Sequence, residues 1–336
     1  MIQNYILNIA ILSYNRPEQL KRIFENLSNY ANEKICITIH EDCSPLRNEI
    51  IDIYEQYKAI LSVDIFMELN EENFGYDRNL LTAYQATKSN FTMLLSDDDF
   101  LNIDVLDDLV CFLKDREPDV CFCPFQRNQT VLRRGFGFDK KKYNTHILYD
   151  SVLFSGIIFN NSNFKLKEKD SNFLHYPEPA IYSQVYLVAF HWSHNCAYFH
   201  DTVIFLGEDG DNYFGLSPAT SNLSDLVNRE DLLSNTIYQL KLLNVAKHIE
   251  RRLKIDIQRK FLKSYRFRLY AHFLKIRSKV NFNGYNAILK RYKRLTKKMP
   301  NSLITMLVIN LICLIPKKIA QKMYHYGVEK FRKSGG

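Results

Sequence analysis

From residue 5 onward, short apolar runs alternate with stretches whose apolar residues recur every three or four positions. Residues 5–13 read as a buried strand. Pro17 then stands where a helix opens, and Leu20, Ile23, Phe24 and Leu27 follow at helical spacing. Ile35 to Glu41 reads as a second strand, and a helix over 46–60 takes its apolar face from Ile50, Ile51, Ile53 and Tyr54. Residues 62–68 read as a third strand, followed by a helix that Asp77 caps and that runs to about Lys88. A fourth strand, 91–96, runs into Asp97-Asp98-Asp99, and a helix over 103–115 and a strand over 119–125 follow. Strands alternating with helices predict an α/β fold, with a mostly parallel sheet and helices on both of its faces.

Beyond residue 126 the pattern loosens. Apolar runs predict strands at 152–159 and 202–206 and a helix at 180–191, and from Asn228 the chain reads as helices joined by short turns. The expected division is 1–126, 127–227 and a helical region 228–336, and no internal repeat is visible.

The sheet changes how the polar residues read, because ligands of parallel α/β sheets bind beyond the carboxyl ends of the strands. Ser13-Tyr14-Asn15-Arg16 follows the first strand, Glu41-Asp42 ends the second, residues 73–79 follow the third, and Asp97-Asp98-Asp99 ends the fourth. Three adjacent carboxylates repel one another unless a cation neutralises them, and hard oxygen ligands suit Mg²⁺ or Mn²⁺, which grips phosphate oxygens. The bland alternative is a solvated acidic loop or a helix cap. Arg78 follows the turn-permitting Gly75, and its guanidinium suits phosphate or a sugar-nucleotide group; a surface pair with Asp77 or Glu71 is the plain alternative. Asp42 can accept a proton from a base N–H or a ribose hydroxyl, or be an ordinary loop residue. The chain has no glycine-rich dinucleotide fingerprint and no GxxxxGK[ST] phosphate loop.

These runs, Ile9 to Pro17, His40 to Ser44, Asn73 to Asn79 and Leu95 to Leu101, resemble the motif series of family 2 glycosyltransferases with the GT-A fold. Within that family the Asn-Phe-Gly-x-Asp-Arg-Asn run, the acidic triplet and a helical tail look most like abequosyltransferase-type enzymes, which decorate lipid-linked O-antigen units. The resemblance implies inverting transfer of a sugar from a nucleotide sugar to an acceptor hydroxyl. Carried over, it implies that Ser13, Asn15 and Arg16 line the nucleotide pocket, that Asp42 binds the base and that Arg78 contacts the nucleotide. It also sets Asp97 by the ribose and gives Asp98 and Asp99 the metal. A general base is expected in the second half just before a helix, where Glu178 stands between Pro177 and Pro179. An exposed turn residue is the plain reading of Glu178, and His175 and the cluster Glu208, Asp209 and Asp211 are the other candidates. Where the family often has Asp-Asp-Gly-Ser, this chain has Glu41-Asp42-Cys43-Ser44, and Ser96-Asp97-Asp98-Asp99 replaces the usual Asp-x-Asp-Asp.

Charge separates the two ends of the chain. The formal net charge is +8, yet residues 251–336 hold 23 Lys and Arg against Asp256 and Glu329, while the preceding 250 residues hold 22 basic and 35 acidic ones. An acidic body with a basic tail points to a polyanionic partner. In the tail, Phe261, Tyr265, Leu269 and Phe273 share a helical face, read plainly as a helix packed on the body with a basic solvent face. The apolar run 303–315, flanked by Lys297, Lys298, Lys317 and Lys318, is shorter than the roughly 20 residues of a spanning helix and reads as an interfacial helix on anionic lipid. The expectation is a protein at the cytoplasmic face of the inner membrane, its acceptor polyprenyl-linked, with no nucleic-acid partner. The seven scattered cysteines, without metal-site spacing, fit reduced thiols, and no signal peptide is evident. The competing functions are a catalytically silent sugar-nucleotide binder, a nucleotidyltransferase and a nucleic-acid-binding protein.

Overall fold

A computed structural model of the chain describes residues 5–87, 89–127, 130–132, 145–162, 182–193, 197–207, 234–295 and 303–333. Its centre is β1 (Tyr5–Ser13), an apolar strand buried along almost its whole length. Two strands flank it in parallel, β2 (Ile35–Glu41) on one side and β4 (Ser89–Ser96) on the other. β3 (Asp64–Leu69) extends the sheet beyond β2, again in parallel. On the other flank β9 (Ile157–Asn160) runs antiparallel between β4 and β6 (Val120–Phe122), and β10 (Ala197–Phe199) lies parallel outside β6. The seven strands stand in the order β10-β6-β9-β4-β1-β2-β3. A strand from beyond residue 126 therefore sits inside this sheet.

The first helices form because their apolar positions match a 3.6-residue period. α1 (Pro17–Leu27) opens on a proline suited to a first turn and buries Pro17, Leu20, Ile23, Phe24 and Leu27. α2 (Arg47–Lys58) buries Ile50, Tyr54 and Tyr57; the expected Ile51 and Ile53 lie off that stripe and are only half-buried. α3 (Tyr76–Gln85) buries Leu80, Leu81 and Tyr84, and α4 (Leu106–Arg116) follows a 3₁₀ turn at Ile103–Val105. The core joins Leu7, Ile9 and Ile11 of β1 to Leu20 and Phe24 of α1 and to Leu109 and Leu113 of α4. Among the described residues this part of the chain also holds α5 (Thr145–Asp150) and α6 (Ser183–Trp192).

Three expected strands differ: 119–125 stops where the chain leaves the main sheet, 152–159 starts late where it enters that sheet, and 202–206 starts only at Phe205. The strand expected at 119–125 breaks at Cys123-Pro124, where a residue without an N–H cannot continue a ladder. The chain resumes as β7 (Phe125–Arg127) in a second sheet, with β5 (Asp99–Leu101), β8 (Thr130–Leu132) and β11 (Phe205–Gly207), in the order β5-β11-β7-β8. The strand expected at 152–159 begins only at Ile157, because Gly156 turns at φ 72°. A Cβ there would stand 2.3 Å from the Phe205 ring, so the position demands glycine.

The chain divides into two compact units, Met1–Asn222 with His248–Ile255, and Leu223–Lys247 with Asp256–Gly336. α7 (Ser234–Leu253) belongs partly to each. The second unit is helical: α8 (Gln258–Lys279), α9 (Phe282–Leu295), α10 (Leu303–Leu314) and α11 (Lys317–Lys333). The aromatic stripe of α8 is its core. Phe261, Tyr265, Leu269 and Phe273 are all buried, the Phe273 ring meets Tyr285 and Tyr292 edge-on, and the Tyr265 and Tyr292 hydroxyls stand 3.2 Å apart.

Candidate active site

The parallel register brings the strand ends level. Ser13 pairs with Glu41, Glu41 with Leu69, and Leu12 with Ser96. Hydrogen bonds then tie the four expected clusters together. The Ser13 carbonyl accepts from the Asp42 N–H at 3.1 Å. The Tyr14 N–H donates to Asp97 Oδ2 at 3.0 Å, and Arg16 Nη1 donates to Asp97 Oδ1 at 2.7 Å. Asn15 between them adopts φ 60°, the left-handed conformation that asparagine tolerates, and it turns the chain from β1 into α1. The same guanidinium reaches Asp98 Oδ2 at 3.2 Å, so Arg16 spans two of the three clustered acids.

Asp97 and Asp98 form a two-residue turn where the chain passes from β4 in the first sheet to β5 in the second. Burial pushes the Asp97 carboxyl up to about 6, despite the Arg16 charge and the Tyr14 N–H that favour its ionised form. Asp98 accepts a bond from the Ser96 hydroxyl, and Asp99 opens β5 opposite Gly207 of β11, nearly buried.

Asp42 is buried and its carboxylate is held by the turn it faces. Oδ1 accepts from Asn70 Nδ2 at 2.9 Å and from the Phe74 N–H at 2.7 Å, and Oδ2 accepts from the Gly75 N–H at 2.8 Å. Desolvation still raises its pKa above the usual value, with these donors opposing. Gly75 at φ 75° precedes α3, and Arg78 lies in the first turn of that helix. The Arg78 guanidinium carbon sits 3.5 Å from the centre of the Phe74 ring, with Glu72 at 3.4 Å, and the side chain is about half exposed. Asp77 makes no cap: its carboxylate accepts from the Ser183 N–H at 2.8 Å and hydroxyl at 2.6 Å and so fixes the start of α6 against α3.

Sequence reasoning placed Glu41 and Tyr14 on the rim without a role and missed Arg47 and Asn70. Glu41 is fully buried, and its carboxylate accepts from the Cys43 and Ser44 N–H groups and pairs with Arg47 Nε. Arg47 also donates to the Asn70 carbonyl, so one ion pair braces the β2 and β3 ends. The available signal was an acid closing an apolar strand with an arginine six residues on. Cys43, where the resemblance expects glycine, adopts φ 51°, so the left-handed backbone survives without the residue best suited to it. Glu178, His175, Glu208, Asp209 and Asp211 lie outside the described residues.

Among the described residues no group of three or more His, Cys, Asp or Glu is placed to hold a metal. A pair of carboxylates still fits Mg²⁺ or Mn²⁺, since such ions are commonly held by one or two carboxylates plus substrate phosphates and water. Asp98 and Asp99 are adjacent carboxylates where β4 gives way to β5, with Asp98 facing Arg16 and Ser96.

A mostly parallel sheet carrying its acidic turn at the junction with a smaller sheet, with helices packed around it, is the GT-A glycosyltransferase fold. Residues 8–173 match the model of glycosyl transferase family 2. Among solved structures the chain is similar to S. aureus TarS 1–349 in complex with UDP-GlcNAc, at TM-score 0.53 and 14% identity, covering 73% of this chain and 66% of that one. It also matches the mannosyltransferase PcManGT from Pyrobaculum calidifontis in complex with GDP-Man and Mn²⁺, at TM-score 0.47 and 11% identity, over 94% of this chain and 87% of that one. No curated protein sequence matches the chain.

Proposed function

We propose that the protein transfers a sugar from a UDP-, CDP- or dTDP-linked donor to a hydroxyl of a polyprenyl-linked glycan, with inversion at the sugar carbon, in surface-polysaccharide synthesis at the cytoplasmic face of the inner membrane. The observation that carries the reading is the joined rim: Asp97 tied to the β1 loop, that loop tied to Asp42, and Asp42 tied to the turn before Arg78. The donor nucleotide lies along this rim, with Ser13, Asn15 and Arg16 on one side and Arg78 on the other. Arg16 orients Asp97 toward the ribose, and Asp42 acts by holding the 70–75 turn in place. Asp98 and Asp99 would hold Mg²⁺ or Mn²⁺, and that ion would supply positive charge against the departing diphosphate. Arg78 adds to that charge from the first turn of α3, where backbone N–H groups also favour an anion. Glu178 takes the proton of the attacking hydroxyl.

The second reading, a silent sugar-nucleotide binder, draws on the Arg16 guanidinium, which already neutralises Asp97 and Asp98. A panel of nucleotide sugars, each with Mn²⁺, separates the two by nucleoside diphosphate release and by thermal shift. Transfer requires release, and Asp99→Ala should cut it about a thousandfold. A thermal shift without release overturns the enzyme, and full activity in Asp99→Ala removes the metal assignment.

A further inference from the structure

The second unit keeps a large apolar surface in the open. On α10, Leu303, Ile304, Leu307, Leu311 and Leu314 all lie on the outer face, with Leu303 85% and Leu314 70% exposed. On α11, Ile319, Met323 and Tyr326 recur at helical spacing and are also exposed. The two helices meet at a bend of 120°. Large apolar side chains left exposed along two successive helices mark a binding surface.

The inner face of α10 is committed to its own unit. Ile309, Ile312 and Cys313 are buried. The Tyr285 hydroxyl donates to the Ile309 carbonyl at 2.7 Å, and Arg277 Nε donates to the Cys313 carbonyl at 3.2 Å. Gln321 at the start of α11 donates to the Ser278 carbonyl at 3.2 Å. Crossing a bilayer would tear these polar ties away. The 12 residues of α10 reach only about 18 Å, against a hydrocarbon core of about 30 Å. Among the described residues no single helix is long and apolar enough to cross.

Charge selects the partner. Lys317, Lys318 and Lys322 are exposed beside the apolar face. No acidic residue occurs between Asp256 and Glu329. A second copy would meet this face with the same positive charge. Nucleic acid would match the charge and leave the leucines unexplained.

We infer that the outer face of α10 and the start of α11 form an in-plane insertion surface for an anionic lipid membrane. The leucines and isoleucines enter the acyl boundary and the lysines contact lipid phosphates. Because this surface belongs to the helical unit, it stands or falls independently of the donor chemistry at the rim.

The test is co-sedimentation of the full-length protein with phosphatidylglycerol–phosphatidylcholine vesicles and with pure phosphatidylcholine vesicles. The wild type should bind the anionic vesicles far better, and less well as salt rises. Leu307→Glu/Leu311→Glu should lower the partition coefficient about a hundredfold or more, since two large side chains lose their burial. Lys317→Gln/Lys318→Gln should lower it about 30-fold on anionic vesicles only. Both pairs are exposed, so unchanged circular dichroism and melting show intact folding. The inference is overturned if the wild type ignores anionic vesicles, if it prefers neutral ones, or if the leucine variant binds as well as wild type. It is also overturned if light scattering shows a wild-type dimer that the leucine variant converts to monomer without changing vesicle binding.

Discussion

At the rim of the main sheet, polar groups are buried: Glu41, Asp42, Asp97 and Asp99 are all closed off from solvent. In the helical unit the inversion is opposite, and leucines and isoleucines stand in the open beside lysines. Each inversion costs stability in isolation, because buried charge loses hydration and exposed apolar area gains it unfavourably. The rim offsets its cost internally, with Arg16, Arg47 and a set of backbone N–H groups facing the acids. The exposed helical face has no such internal compensation, so its free energy is recovered only against an outside surface. On the readings proposed above, the first region is preorganised for a small charged ligand and the second for an extended apolar one.

The sharpest way to break this contrast is to exchange the effects. Asp99→Ala, with its expected thousandfold loss of nucleoside diphosphate release, should leave vesicle binding intact, and Leu307→Glu/Leu311→Glu should do the reverse. If Asp99→Ala also lost vesicle binding, the two regions would not be separable. Next in size is Asp42→Ala. It strips a buried carboxylate from Asn70, Phe74 and Gly75; Asn70 Nδ2 keeps Asn79 Oδ1 and the Gly75 N–H keeps Asn73 Oδ1, while the Phe74 N–H loses its acceptor. The expected loss is about 3 kcal/mol of unfolding free energy by denaturant titration, with weaker donor binding because the turn before Arg78 is no longer held. A stable variant with weakened donor binding would instead favour direct contact between Asp42 and the base.

The rim was legible in the sequence because local spacing sets it. Each acidic cluster follows an apolar strand, and parallel strands of similar length necessarily end together. What was not legible depends on partners distant in sequence. Arg16 bonding Asp97 spans 81 positions, and Asp77 turning to Ser183 spans 106, so neither follows from local pattern. Asp77 looked like a cap because caps are the commonest use of aspartate at a helix start; a buried serine from α6 took it instead. The strand expected at 119–125 failed for a local reason that was available, namely Pro124. In the helical unit, periodicity identified the α8 stripe but not its partner: the body was expected, and the rings of α9 in the same unit meet it.

A smaller effect probes the helical unit from inside. Arg277 is buried, and it donates to the Val280 carbonyl at 2.9 Å as well as to Cys313. It links the end of α8 to the end of α10, and its charge suits a helix C-terminus. Arg277→Ala should cost about 2 kcal/mol and speed amide exchange across α10 before it does so in the main sheet. Uniform exchange throughout the chain would contradict the division into a preformed rim and a separately braced helical platform.

The smallest effect expected is a gain. Cys43 holds φ 51° while its N–H and that of Ser44 donate to Glu41. A left-handed conformation costs a residue with a Cβ roughly 1–2 kcal/mol, and glycine adopts it freely at some expense in unfolded-state entropy. Cys43→Gly should therefore raise stability by about 1 kcal/mol, read as a shift of the denaturation midpoint with unchanged slope. Strain of this kind persists where the surrounding structure over-determines the backbone. Here Arg47, Glu41 and Asn70 supply that constraint, since they fix the turn whichever residue occupies position 43. If Cys43→Gly instead lowered stability, the thiol, 3.7 Å from the Glu71 carbonyl, would be contributing packing that outweighs the strain. The β2 end would then be held by its side chains more than by its ion pair.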